Sequence, residues 1–189
     1  MRGKGDTPLL VAVFGSAEPP EGDPLYELAR RVGGLLVAAG YGVVTGGYGG
    51  VMEGASRGAT EASGIAIGVT CATFQGRLPN RFLTETREEA NLVARTGALV
   101  EAACGYVVLH GKSGTLAELT LVWALHRAGS LGRRPVVLLR AAWRPFLHHL
   151  VRGAMIEDDQ LGITRVADEP EDAIMELDRF LVAEGAGGK

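Results

Sequence analysis

Two glycine-rich stretches, TGGYGG at 45–50 and HGKSGT at 110–115, are the parts of the sequence best suited to chemistry. Each follows a short apolar run and leads into an amphipathic stretch. Glycine has no side chain, so backbone N–H groups and the start of a helix can come close to a phosphate there. The two stretches therefore predict a phosphate or nucleotide site formed by Gly46, Gly47, Gly49, Gly50, Gly111, Lys112, Ser113, Gly114 and Thr115.

Three common phosphate-binding classes do not fit these residues. A P-loop requires G-x-x-x-x-G-K-[ST], but Gly105 precedes Gly111 by one residue too many, and YVVLH between them is a predicted strand. The first apolar run continues as FGSAEPPEG, which lacks the G-x-G-x-x-G spacing of dinucleotide-binding proteins. A pyridoxal phosphate enzyme needs a buried lysine, and Lys112 is the one internal candidate beside Lys4 and Lys189.

The elements that must position these residues alternate along the whole chain. Strands are predicted at 9–15, 41–47, 65–70, 105–111 and 134–140, with a short edge strand in 162–167. Helices are predicted at 23–40, 49–64, 87–103, 115–129, 143–153 and 169–185, and a polar loop at 71–86. Such alternation is typical of right-handed crossovers and a parallel sheet. We therefore predict an α/β, Rossmann-like, doubly wound domain at 1–184 and a flexible tail at 185–189, with ligands beyond the carboxyl ends of the strands.

Composition excludes several other classes. The 189 residues are 47% hydrophobic with a net charge of −3, and no basic block indicates a nucleic-acid-binding face. No apolar run is long enough to cross a bilayer, and the N-terminus lacks a secretory hydrophobic region. Cys71 and Cys104 are far apart, as expected for reduced thiols in a cytoplasmic protein. His148 and His149 are helix neighbours pointing about 100° apart, so no metal site is predicted.

Three segments together resemble the LOG family of phosphoribohydrolases, formerly described as lysine decarboxylases. TGGYGGVMEGASRGA (45–59) is similar to the family pattern T-G-G-G-x-G-[IL]-M-E-A-x-x-x-G-A. HGKSGTLAE (110–118) stands where the family has P-G-G-x-G-T-x-x-E. The third segment is the helix that carries Arg95, before the fourth predicted strand. The resemblance extends from the first predicted strand to the fifth.

The resemblance implies a homodimer that cleaves the N-glycosidic bond of a nucleoside 5′-monophosphate, such as a cytokinin nucleotide or AMP. The products would be free base and ribose 5-phosphate, and neither a metal nor an organic cofactor is implied. It assigns Arg95 and Glu118 as the catalytic pair. It also assigns phosphate binding to Gly46, Gly47, Gly114 and Thr115, and the lining of the nucleotide pocket to Ser16 and Glu53.

The chemistry suits these two residue types. Breaking the bond between sugar and base builds positive, oxocarbenium-like charge on the ribose, which a carboxylate can stabilise while it positions water. Arg95 can neutralise phosphate or polarise the leaving base. Locally, Glu118 also fits an ordinary capping box, with Thr115 as the N-cap of the helix.

Three residues depart from the family pattern. His110 replaces a proline, Lys112 replaces a glycine in the same loop, and Tyr48 replaces a glycine in the other loop. A side chain makes positive φ costly and can push the backbone away from a phosphate. Lys112 can compensate with its ammonium group, and Tyr48 can stack on a base or cap the pocket. The departures leave open a second function, a non-catalytic binder or carrier of a phosphorylated nucleotide or a molybdenum-cofactor-like ligand.

Overall fold

A computed structural model describes the backbone of residues 8–187 and the side chains of residues 8–184. The strands in this range are β1 Leu10–Phe14, β2 Gly42–Thr45, β3 Ala66–Cys71, β4 Glu85–Glu89, β5 Gly105–Val108, β6 Val136–Leu139 and β7 Thr164–Ala167. The helices are α1 Pro24–Ala38, α2 Val51–Glu61, α3 Leu92–Ala102, α4 Ser113–Arg127, α5 Trp143–Arg152, α6 Asp158–Gly162 and α7 Pro170–Gly187.

The seven strands form one parallel sheet in the order β4-β3-β2-β1-β5-β6-β7. The chain moves outward from β1 to β4, returns to the centre, and moves outward again from β5 to β7. The strand order therefore reverses between β1 and β5, where a doubly wound sheet opens its ligand crevice. The predicted α/β, Rossmann-like class is confirmed.

Helices cover both faces of the sheet. Successive strand residues point to opposite faces, so Val11 and Val13 of β1 belong to a core with α1, α2 and α7. Ala12 and Phe14 belong to a second core with α3, α4 and α5. A strand buried on both faces is apolar throughout, which is why β1 has no polar alternation.

The region between β3 and α3 differs from its sequence prediction. The sequence predicts a polar loop to residue 86 and a helix from residue 87, whereas ETREE at Glu85–Glu89 forms the edge strand β4. The predicted helix start is wrong: α3 begins at Leu92, because the Asn91 side chain accepts a hydrogen bond from the N–H of Ala94 at 2.9 Å and caps the helix. Four of the five β4 residues are exposed, so this strand has no buried apolar face to reveal it.

The sequence also misses the short helix α6, which has a capping box at its start. At the other end of the chain, the closing helix is predicted to stop at residue 185 and α7 continues to Gly187. The last two residues of the predicted tail, 188–189, lie outside the described residues.

Candidate functional site

The carboxyl ends of β1, β2 and β5 meet at one crevice. Ser16, just after β1, joins the neighbouring loops: its N–H donates to the carbonyl of His110 at 3.1 Å, and its carbonyl accepts from the N–H of Val51 at 2.8 Å. With segment 72–84 and the start of α3, these loops enclose a cleft of about 570 Å³. The cleft is lined by Gly15, Ser16, Ala17, Glu18, Tyr48, Gly49, Met52, Phe74, Arg77, Leu78, Leu92, Arg95, Lys112, Gly114, Thr115 and Glu118.

Arg95 of α3 and Glu118 of α4 form an ion pair in the wall of this cleft. Nη1 of Arg95 lies 2.7 Å from Oε1 of Glu118, and the side chains are only 7% and 12% exposed. Nε of Arg95 also donates to the carbonyl oxygen of Val69 in β3 at 3.0 Å. Two charge-assisted contacts therefore fix the orientation of the guanidinium.

Gly46 provides the space that this guanidinium occupies. A Cβ atom at position 46 would lie 1.4 Å from Nη2 of Arg95 and 2.7 Å from Sδ of Met52. Neighbouring Gly47 and Gly50 have φ angles of +79° and +68°, which favour glycine for a different reason. Gly46 is thus explained by packing against Arg95.

The carboxyl of Glu118 is electrostatically perturbed. Burial, the largest influence, raises the pKa of Glu118 above its ordinary 4.5, while the charge and hydrogen bond of Arg95 act in the opposite direction. A carboxyl group in a cleft whose pKa is raised by burial, beside a fixed cation, is suited to proton transfer.

The N-terminus of α4 faces the same cleft through Gly114 and Thr115. The helix begins at Ser113, Lys112 occupies the N-cap, and no side chain caps it. The N–H groups of a first turn have no partner within their helix and attract anions. Thr115 is the third residue of α4 rather than its N-cap, so the capping-box interpretation of Glu118 is wrong.

Lys112 bridges two of the loops at the mouth of the cleft. Its Nζ lies 2.6 Å from Oε1 of Glu18, and the two side chains are 70% and 67% exposed. The φ angle of Lys112 is −106°, so replacing glycine here has no left-handed backbone cost. A surface pair of this kind is weak, and an anionic ligand can compete with Glu18 for the ammonium group.

Tyr48 is buried and bound to the backbone of β3. Its hydroxyl accepts a hydrogen bond from the N–H of Cys71 at 2.9 Å and donates to the carbonyl of the same residue at 3.3 Å. Its ring meets the Phe74 ring edge-on, with centroids 5.7 Å apart. The φ angle of Tyr48 is not positive, so a side chain at this position has no left-handed backbone cost. Tyr48 therefore joins the glycine loop to the segment that follows β3.

Some of the predicted site residues line the cleft, and others do not. Those that line it are Ser16, Gly49, Arg95, Lys112, Gly114, Thr115 and Glu118. Those outside the lining are Gly46, Gly47, Gly50, Glu53, Gly111 and Ser113. Glu53 accepts a hydrogen bond from the hydroxyl of Tyr26 at 3.3 Å, which explains its place beside α1.

Sequence reasoning missed three charged or aromatic lining residues. Glu18 lies in FGSAEPP, which directly follows the first predicted strand, and ligands are predicted beyond the carboxyl ends of the strands, so its charge was an available signal. Phe74 and Arg77 lie in the predicted polar loop 71–86, where no periodicity indicates which side chains point inward. Only the path of this segment over the cleft reveals them.

The histidines do not form a comparable site. His148 and His149 are both exposed on α5. In the part of the chain that the structure describes, no group of three or more His, Cys, Asp or Glu residues could hold a metal ion. Over the same part, no helix has the length and apolar character needed to cross a membrane.

Comparisons with known proteins agree with this fold. Residues 8–170 match the family model described as the SLOG cluster4 family. An uncharacterized protein of Archaeoglobus fulgidus is 25% identical over 134 residues, which are 68% of this chain and 82% of that protein.

Two solved structures share the fold across nearly their full lengths. One is the molybdenum cofactor binding protein from the phototrophic bacterium Rippkaea orientalis, with a TM-score of 0.72, 22% identity, and coverage of 92% of this chain and 98% of that chain. The other is the molybdenum cofactor carrier protein from Chlamydomonas reinhardtii, with a TM-score of 0.71, 24% identity, and coverage of 93% and 99%.

Proposed function

The chain belongs to the SLOG cluster4 family, and we propose that its cleft binds a nucleoside 5′-monophosphate and hydrolyses the N-glycosidic bond. The products are the free base and ribose 5-phosphate. This proposal adopts, within the wider family, the activity of the LOG phosphoribohydrolases that the motifs resemble.

The observation that carries the proposal is the buried pair of Arg95 and Glu118 in the cleft wall. As the bond from the anomeric carbon to the base nitrogen breaks, its electron pair leaves with the base and positive charge grows on the ribose. The Glu118 carboxylate stabilises that charge and accepts a proton from the attacking water, whose oxygen bonds to the anomeric carbon. Glu118 then passes this proton to the departing base. Arg95 holds Glu118 in position and places a cation near the departing base, on which negative charge develops.

We place the phosphate of the nucleotide at the start of α4, about one turn before Glu118 on the same helix. The uncapped start of α4 offers N–H groups and a positive helix end near Gly114 and Thr115. Lys112 supplies a flexible ammonium group once it releases Glu18. A cleft of about 570 Å³ has room for both the phosphate and a base.

A carrier function is the second candidate. The shared fold with a molybdenum cofactor binding protein and a molybdenum cofactor carrier favours it. In that case the same helix end would hold a phosphorylated cargo, and the Arg95–Glu118 pair would serve as a structural part of the wall.

The experiment is a chromatographic assay for free base after incubation with AMP, GMP, CMP, UMP and N6-isopentenyl AMP. The Glu118→Gln variant is the test, and Glu53→Gln is the matched control, because Glu53 is a carboxylate on another helix outside the cleft lining. Base release that disappears in Glu118→Gln and persists in Glu53→Gln supports the hydrolase.

The pH profile provides an independent check. Glu118 must be ionised to accept a proton, and burial raises its pKa above 4.5, so the rate should fall as pH drops through that raised value. If no nucleotide in the panel releases free base but nucleotide binding is retained, the result would instead support the carrier function. A purified sample that retains an absorbing ligand would point the same way.

A further inference from the structure

Segment 72–84, between β3 and β4, forms one wall of the cleft and is held firmly by the glycine loop. The N–H of Asn80 donates to the carbonyl of Gly47 at 2.8 Å, and Nδ2 of Asn80 donates to the carbonyl of Tyr48 at 3.0 Å. The Tyr48 hydroxyl also accepts from the N–H of Cys71 and donates to its carbonyl, so the glycine loop is bonded to the residue just before the segment and to Asn80 within it. On its inner face, towards the cleft, Phe74 is half-buried and Arg77 is exposed.

An aromatic and cationic stack lies on that inner face. The guanidinium carbon of Arg77 lies over the Phe74 ring at 5.3 Å from its centroid, and both residues line the cleft. Within residues 8–184, no carboxylate forms an ion pair with Arg77. Leu78, which is 85% exposed, and Leu92, which is 48% exposed, add apolar surface at the same mouth.

We propose that Phe74, Arg77, Leu78 and Leu92 form a subsite for a fused heteroaromatic ring whose edge carries hydrogen-bond acceptors. The proposal deepens the function above, because the ring is the base of the nucleotide. For a base to stack on Phe74, Arg77 must leave the face of that ring, where it lies 5.3 Å from the centroid. Arg77 then contacts the edge of the base, while Phe74, Leu78 and Leu92 cover its faces. Arg77 is thus the residue that determines base preference.

The chemistry of the guanidinium sets the direction of that preference. It has five N–H donors and no acceptor. Guanine presents two acceptors, O6 and N7, side by side, and arginine can bind both. Adenine presents a donor amino group beside N7, so one donor would face another. The subsite therefore favours an oxopurine over adenine.

The same segment supplies a matched control. The guanidinium carbon of Arg81 lies 4.9 Å from the centroid of the Phe82 ring, in an arrangement similar to that of Arg77 on Phe74. Neither Arg81 nor Phe82 lines the cleft. Both arginines are exposed, so replacement of either by methionine should leave the fold intact, as circular dichroism and thermal unfolding will check.

The test is calorimetric titration of the Glu118→Gln protein, which prevents turnover, with GMP, AMP, guanosine and ribose 5-phosphate. We expect GMP to bind about tenfold more tightly than AMP. Adding Arg77→Met should remove that difference and leave ribose 5-phosphate unchanged, whereas adding Arg81→Met should alter neither.

The outcomes distinguish failure of the base subsite from failure of the nucleotide function. Equal loss in Arg77→Met and Arg81→Met, no loss in either, or tighter binding of AMP than GMP would overturn the subsite while leaving the nucleotide function standing. Guanosine binding that depends on Arg77, with no binding of any phosphate-bearing ligand, would keep the subsite and overturn the nucleoside monophosphate function. Failure of all four ligands to bind would overturn both.

Discussion

Tyr48 in the loop after β2 is buried and bonded to the backbone of β3, whereas Lys112 in the loop after β5 is exposed and ion-paired with Glu18. Both loops line the same cleft, and both carry a large side chain among glycines. Neither side chain requires a left-handed backbone. The difference lies in what each one contacts: Tyr48 holds two parts of the fold together, and Lys112 presents a charge to the solvent.

This difference indicates that the two loops have different roles, one in stability and the other in anion binding. The loop after β2 is packed on three sides, against Arg95 at Gly46, against Gly68 and Thr70 at Gly47, and against Cys71 at Tyr48. The loop after β5 leads into an uncapped helix and is held at its mouth by a weak surface pair. Changes in the first loop should therefore alter stability, and changes in the second should alter anion binding.

The largest effect is expected for Gly46→Ala in the loop after β2. Its Cβ atom would lie 1.4 Å from Nη2 of Arg95, so the guanidinium must leave its position and break the buried pair with Glu118. Loss of a buried ion pair costs about 3 kcal/mol or more. The free energy of unfolding should fall by that amount in urea denaturation, and ligand turnover should be lost.

Gly49→Ala is the control in the same loop. Its Cβ atom would make an ordinary contact, 3.5 Å from the carbonyl of Ala17, and Gly49 is not one of the glycines with positive φ. Its unfolding curve should stay close to that of the wild type. If both variants unfold alike, the packing explanation of Gly46 is wrong.

Tyr48→Phe should have the next largest effect. It removes the hydroxyl and leaves the buried N–H of Cys71 without its acceptor, which costs about 1–3 kcal/mol. Amide hydrogen exchange should show faster opening of segment 72–84. A variant as stable as the wild type would mean that Tyr48 is not the link between the glycine loop and β3.

The sequence was sufficient for the features that depend on local pattern. Asp23 and Pro24 predict the start of α1, and the Asp23 side chain does accept from the N–H of Leu25. Apolar runs predict the buried strands, and the topology of a doubly wound sheet brings the glycine loops to one edge. Arg95 and Glu118 came from a resemblance of motifs, and the fold places them 2.7 Å apart.

The remaining features depend on contacts between distant parts of the chain. β4 is exposed and charged, so it has neither apolar alternation nor strong strand propensity. The role of Gly46 depends on an arginine 49 residues later, and that of Lys112 on Glu18. Segment 72–84 has no period at all, so its inward-facing Phe74 and Arg77 could be identified only from the path of the chain.

Lys112→Met tests the second loop. The variant should lose at most about 1 kcal/mol of stability, because the pair with Glu18 is exposed. It should bind inorganic phosphate or AMP about tenfold less tightly at low salt, because a charged hydrogen bond is lost. Glu18→Gln should do the opposite and tighten binding, since it frees the ammonium group. Weaker binding in both variants would show that the intact pair, rather than the free lysine, holds the anion.

Gly114→Ala is expected to change stability and binding least among these variants. Position 114 lies in the first turn of α4, and a Cβ atom there would have no neighbour within 4 Å. Alanine should therefore stabilise the helix by about 0.4–1 kcal/mol, while its methyl group projects into the cleft and weakens phosphate binding. Gly97→Ala in α3, which is equally open and outside the cleft lining, should give the same gain in thermal stability with unchanged affinity. If both variants bind phosphate equally well, the anion does not approach the start of α4.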